Sequence, residues 1–347
     1  MTTKKIQGLI TAIVTPFRKD GEIAWDNFEK LIEFQLSSWV DGILFVGTTG
    51  ESPTISPEEH KKIIEFGVKK VNGRCLCLAG TGSNNLLEAM DLTEMAVQAG
   101  ADAVLLVDPY YNGPSSREIM KEYILPIASA YPKIEIIPYI IPGRTGCELL
   151  PPHLAILHQQ FSNINCVKIA TGDLEGIKKT RELCGPELSI LSGDDHLTNE
   201  LMLDPEIKAD GAISVMSNVF PFPLRCMIKS HLEDLPNPFH QEIREVLDLV
   251  NVVTEEETSY GKVLNKSRNP LPVKTIMNLL GIPVGPCRPP LGKMTYRGIQ
   301  KITDVLDTQY KRREVDFKFL SQVFQTDTIF NLATKKYLES LVYELYE

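Results

Sequence analysis

The chain has 347 residues, 43% of them hydrophobic and 23% charged, the profile of a globular protein with a substantial core. A formal net charge of −9 argues against a nucleic-acid-binding surface as its main role. No run approaches the roughly eighteen consecutive apolar residues of a membrane span.

The opening, MTTKKIQGLITAIVTPF, has a short apolar run broken by Pro16 and no cleavage site behind a proper h-region, so no signal peptide is expected. Cys75, Cys77, Cys147, Cys166, Cys184, Cys226 and Cys287 form no C-x-x-C pair, and most sit in apolar runs. That pattern predicts reduced thiols in a cytoplasmic protein rather than a disulfide framework.

Along the chain, short runs rich in β-branched residues alternate with longer stretches of helical period. The runs are LITAIVTPF, DGILFVG, RCLCLAGT, DAVLLVDP, KIEIIPYI, INCVKIAT, LSILSGD and GAISVM, and helix-like segments between them cover 57–71, 84–99, 115–130 and 173–183. Strands apolar on both faces fit a parallel sheet buried on all sides. Eight such units without a short edge strand predict a closed (β/α)8 TIM barrel over 1–235, in preference to an open doubly wound sheet. From 236 to 306 the pattern reads as helical throughout, which predicts an appended helical domain. The tail, 307–347, carries Leu338, Leu341, Val342 and Leu345 at helical spacing and predicts a further amphipathic helix.

In such a barrel the active site lies at the carboxyl ends of the strands. GTTGES, DPYYNGPS, PYIIPGRTG, VKIATG and SGDDH all fall there, after strands two, four, five, six and seven. Lys168 is the unusual residue among them. A strand-end lysine can pack its stem and send its head to water. Alternation, however, puts Lys168 on one face with Cys166 and Ala170, while Val167 and Ile169 take the face that packs on helices. An inward lysine loses its proton more readily, and its free amine can form a Schiff base with a carbonyl.

Tyr139 lies on the neighbouring strand, where a phenol can be structural or can relay protons to an amine. Arg144 follows in a glycine-bracketed loop, either solvated or as a bidentate partner for a carboxylate. GTTGES lacks the G-K-[ST] ending of a phosphate loop, yet its hydroxyls and backbone N–H groups can hold a small carboxylate. In SGDDH, Asp194, Asp195 and His196 are of metal-ligating type, but no paired-histidine spacing supports a metal, and Asp194 or Asp195 is expected to cap the next helix.

Taken in order, VTPF, GTTGES, AGTG, PYYN, RTGCELLP, VKIATG, LSGDD, GAISV and NPLPVK resemble the dihydrodipicolinate synthase branch of the pyruvate-dependent lyases, a family that also includes N-acetylneuraminate lyase. The resemblance spans about residues 6–306. It implies a (β/α)8 barrel with a helical C-terminal domain, and condensation of pyruvate with L-aspartate 4-semialdehyde through a lysine imine, without metal or organic cofactor. By motif, Lys168 is the Schiff-base residue, and Tyr139, Thr48 and Tyr111 form the proton relay. Tyr111 is contributed by a neighbouring subunit, which implies a homo-oligomer, a dimer or a tetramer. Thr49 matches the pyruvate-carboxylate site, the main chain of Ile213 and Gly193 lines the pocket, and Arg144 receives the second substrate's carboxylate. His60, Asn84, Glu88 and Tyr110 match a lysine-binding regulatory site, where Pro53 and Pro57 replace other residues.

Two positions depart from the family pattern: Ile140 stands where Asn is usual, and Ile169 where an acidic residue is usual. On opposite faces from their catalytic neighbours, they are expected to form an apolar contact behind the site. They leave open an aldolase of the same fold acting on a sialic acid or a 2-keto-3-deoxy sugar acid, which Arg144 opposes. A non-catalytic keto-acid-binding barrel is the third reading, and it has no use for a desolvated amine.

Overall fold

A computed structural model describes residues 5–236, 240–326 and 341–343. Eight parallel strands close into a barrel in sequence order: β1 Gly8–Ala12, β2 Gly42–Phe45, β3 Leu76–Gly80, β4 Ala103–Val107, β5 Glu135–Ile140, β6 Cys166–Ile169, β7 Ser189–Ser192 and β8 Gly211–Ser214, with β8 pairing β1. The (β/α)8 expectation is therefore met. Helices follow the strands, among them Pro57–Val71, whose Ser56 and Glu59 form a reciprocal capping box, and Leu86–Ala99, capped by Asn85.

The side chains sort into two apolar layers, as strand alternation requires. One lines the barrel axis and includes Ile10, Leu44, Leu78, Leu105, Ile137, Tyr139, Cys166, Leu191 and Ile213. The other lies between strands and helices and includes Val167 and Ile169, together with Ile140. All seven cysteines are free thiols. Among the described residues, no helix is long and apolar enough to cross a membrane.

The C-terminal region is helical, with Leu271–Leu279 and Tyr296–Arg312 as its main elements, but it contains one departure from the expected pattern. An antiparallel hairpin, β9 Asn251–Thr258 and β10 Gly261–Arg268, turns through Ser259 and Tyr260. Its strands alternate, but mostly with polar residues, so no apolar stripe announces them. Val252 is buried, and Thr254 Oγ1 meets Thr295 Oγ1 at 3.1 Å at the start of helix Tyr296–Arg312.

Helix Tyr296–Arg312 runs unbroken across the expected junction at 306 and is followed by Glu314–Phe324. There Phe317 and Leu320 are buried, and aromatic pairs join Phe317 to Phe220 and Phe319 and Phe324 to Phe34. The first part of the tail thus covers an apolar surface of the barrel's outer helices. Leu338 and Leu345 lie outside the described residues; Val342 bridges Met294 in parallel.

Candidate active site

A cleft of about 400 Å³ opens at the carboxyl ends of the strands. It is lined by Thr48, Thr49, Tyr139, Arg144, Lys168 and Gly193, and by Asp194, Val215 and part of the hairpin.

Lys168 and Tyr139 are register partners on β6 and β5, each 5% exposed, with the lysine Nζ 4.2 Å from the centroid of the tyrosine ring. Burial drives the Lys168 pKa down to about 8, with Arg144 adding to the effect and the carboxylates of Asp195 and Asp194 opposing it. At pH 7 about one amine in ten is then neutral, against roughly one in three thousand at the ordinary lysine value. Burial pushes the Tyr139 phenol up, so it stays protonated; Arg144 and a hydrogen bond with the Thr48 side chain work the other way. Gly193 supplies clearance, since a Cβ there would stand 3.0 Å from Lys168 Cε and 2.8 Å from Ala170 Cβ. Ile213 is fully buried in the axial layer below the cleft, and Val215 is the residue after β8 on the cleft wall.

The carboxylate pair after β7 behaves differently from the expected helix cap. Asp195 Oδ2 accepts the backbone N–H groups of Val215 (2.8 Å) and Met216 (3.1 Å), tying the end of β7 to the end of β8. Neither Asp194 nor Asp195 makes a side-chain capping bond to the short helix that follows. The reason is tertiary: barrel closure brings two N–H donors that no local reading supplies. Burial raises the carboxyl pKa of both residues.

The GTTGES turn is fixed from the C-terminal region. Glu51 adopts φ 63°, a left-handed conformation that a non-glycine residue keeps only when its surroundings impose it. Lys274, in the NPLPVK run, donates to Glu51 Oε1 at 2.7 Å and to the carbonyls of Thr15 and Pro286, while Arg288 N–H donates to Glu51 Oε2. Both charged side chains are at most 1% exposed. Every proton of the ammonium has an acceptor, which is what makes such a pair tolerable in a core. Asn269 Nδ2 donates to Thr49 Oγ1 at 3.0 Å, and Asn269 Oδ1 is buried with no hydrogen-bond partner among the described residues. Glu51, Asn269 and Lys274 lie within GTTGES and NPLPVK, but nothing local in either run signals that the two runs pair with each other.

Ile140 and Ile169 are register partners, both buried in the outer layer, so the apolar contact expected behind Tyr139 and Lys168 is present. Tyr111 stands apart from the cleft: it is 90% exposed, with φ 79°. Asn84 and Tyr110 line a second cleft, of about 340 Å³, with Pro109, Asn112, Glu118 and Tyr123. Glu88 accepts from Ser83 Oγ at 2.5 Å. His60 is buried, donates Nε2–H to the Gly80 carbonyl at 2.7 Å, and is held neutral by burial, with its pKa down to about 4.

A closed parallel barrel that brings a desolvated amine, a protonated phenol and the threonines of GTTGES to one mouth fits the class of barrel lyases. A profile of the dihydrodipicolinate synthetase family matches residues 5–309, and the chain belongs to that family. It is 36% identical over 306 residues to the 4-hydroxy-tetrahydrodipicolinate synthase of Methanococcus vannielii, covering 87% of this chain and 98% of that one. It is 40% identical over 290 residues to the enzyme of that name from Methanococcus aeolicus, covering 83% and 94%. Among solved structures, the dihydrodipicolinate synthase from Aquifex aeolicus superposes with a TM-score of 0.78 at 36% identity, over 87% of this chain and 98% of that one. The enzyme from Cyanidioschyzon merolae with lysine bound gives 0.79 at 32%, over 88% and 99%. The helix Glu314–Phe324 lies beyond the matched segment.

If the Glu51–Lys274 pair holds the turn, either Lys274→Met or Glu51→Gln, by stranding the partner, lowers stability by about 3–5 kcal/mol in urea unfolding. The double variant loses less than the sum of the two, and additive losses would show that the residues act independently.

Proposed function

We propose that the chain is a 4-hydroxy-tetrahydrodipicolinate synthase, a lyase of lysine biosynthesis that condenses pyruvate with L-aspartate 4-semialdehyde. The observation that carries the reading is the buried amine of Lys168 in register with Tyr139 at the barrel mouth.

The neutral amine attacks the pyruvate carbonyl carbon, and the resulting carbinolamine loses water to give an imine. Loss of a methyl proton turns the imine into an enamine, whose carbon attacks the aldehyde and forms the new C–C bond. The acceptor's own amine then attacks the imine carbon, closes the ring and releases Lys168. Tyr139, with Thr48, carries protons to and from the oxygen that leaves as water. Thr49 and the backbone beside it hold the pyruvate carboxylate, the main chain of Gly193 and Ile213 shapes the pocket, and Arg144 receives the acceptor's carboxylate. None of these steps calls on a metal or an organic cofactor.

Tyr111 completes the relay of a neighbouring subunit in a cytoplasmic homo-oligomer, a dimer or a tetramer. Its nearly full exposure on a single chain supports that role. The cleft of Asn84 and Tyr110, with Glu88 and the buried, neutral His60 as further residues of the site, takes lysine as a feedback inhibitor.

Borohydride added with pyruvate should leave a covalent adduct, visible in intact mass and absent from Lys168→Ala. Aspartate semialdehyde should then outperform sugar aldehydes as acceptor; an absent adduct, or a preference for sugar aldehydes, would contradict the reading. Lysine at millimolar concentration should depress the rate, and an unchanged rate at that concentration would remove the regulatory assignment.

A further inference from the structure

The β9–β10 hairpin is not a remote ornament. Its base, through Asn251, Val253, Lys266, Ser267 and Arg268, forms part of the wall of the cleft that holds Lys168. Two reciprocal bonds fasten it to the loop after β5: Arg144 Nη2 donates to the Asn269 carbonyl at 2.9 Å, and Arg268 Nη1 donates to the Gly143 carbonyl at 3.2 Å.

Strand alternation places Asn251, Val253, Glu255 and Glu257 on one face with Lys262, Leu264, Lys266 and Arg268. Toward the tip, the cation on this face is neutralised, Lys262 lying opposite Glu257 and pairing diagonally with Glu255 at 2.8 Å. At the base, cross-strand acids are withheld. Lys266 faces Val253, Arg268 faces Asn251, and neither cation has a carboxylate within ion-pair distance among the described residues. The clamp also sets Arg268 beside Arg144, so that their like charges oppose one another. Among the described residues, Asp194 is the one carboxylate lining the cleft. A wall with this excess of positive charge is favourable when an anionic group lies against it.

We propose that Lys266 and Arg268 are specificity-determining residues that, with Arg144, hold the anionic end of the acceptor aldehyde. This deepens the functional reading above and rests on it: pyruvate is bound below, at Lys168 and Thr49, and the hairpin selects an acceptor carrying a carboxylate over a neutral aldehyde. The charges stand at the cleft mouth, where solvent screens them, so their effect falls on acceptor capture more than on the bond-making step.

The test compares wild type with Lys266→Ala, Arg268→Ala and the conservative Lys266→Arg. The measurements are steady-state constants for aspartate semialdehyde and for a neutral aldehyde of the same length, at low and at moderate salt. Each alanine variant should raise the acceptor KM about tenfold while kcat moves less than twofold. Its preference for the charged over the neutral aldehyde should shrink by the same factor, with a weaker salt dependence. Lys266→Arg should restore most of the preference, and the pyruvate KM should not move. An unchanged acceptor KM, or an equal rise for charged and neutral aldehydes, would overturn the assignment. Borohydride trapping of pyruvate in the same preparations separates the two claims. A normal adduct with an unmoved acceptor KM sinks only the hairpin's role, whereas a wild type without adduct sinks the functional reading itself. An alanine variant with a lowered melting temperature is replaced by Lys266→Gln or Arg268→Gln, which removes the charge and keeps a polar side chain.

Discussion

An ammonium taken out of water costs several kcal/mol unless it is paired or loses its proton, and Lys168 is buried without an ion-pair partner among the described residues. The barrel accepts this by lowering the amine's affinity for its proton. The surroundings responsible are ordinary core residues: Cys166, Leu191 and Ile213 share the axial layer, and the Tyr139 ring lies under the nitrogen. Asp194 and Asp195 keep the shift moderate, and Asp195 is itself occupied by two backbone N–H groups. The proposed reactivity of Lys168 is therefore a property of packing more than of any single neighbour.

The rest of the mouth is arranged to hold this amine and its substrates in place. Behind it, Ile140 and Ile169 back the Tyr139–Lys168 strand pair with an apolar contact, which keeps water from that side. To one side, the Glu51–Lys274 pair imposes the turn that presents Thr48 and Thr49, and it does so from the C-terminal region. Above, the hairpin closes on the loop after β5 through Arg144 and Arg268. The C-terminal region thus reaches the site twice, once as a buried brace and once as a charged wall. That arrangement explains how a barrel can keep one chemistry in its axial layer while its selectivity is set by an appended segment.

Much of the fold was legible because strand runs such as INCVKIAT are apolar on both faces, and Lys168 stood out for being charged among them. Alternation put Lys168 inside the barrel and Ile169 outside it, and set Ile140 on the opposite face from Tyr139, and the register agrees. The hairpin was not legible: its glutamates, threonines and lysines give no apolar period, and its Ser259–Tyr260 turn lacks the Asn-Gly signature of tight hairpins. Asp195 read as a cap because its backbone donors come from β8, distant in sequence. Asn269 and Lys274 were hidden for a similar reason, their partners lying some 220 residues away, at Thr49 and Glu51.

The central claim is that desolvation makes Lys168 a nucleophile near neutral pH, and the pH dependence of imine formation tests it most directly. The rate of pyruvate adduct formation, trapped with cyanoborohydride and followed by mass, should rise with pH and level off with an apparent pKa near 8. A rate still climbing tenfold per pH unit to pH 10, as an ordinary solvated lysine requires, would contradict the account.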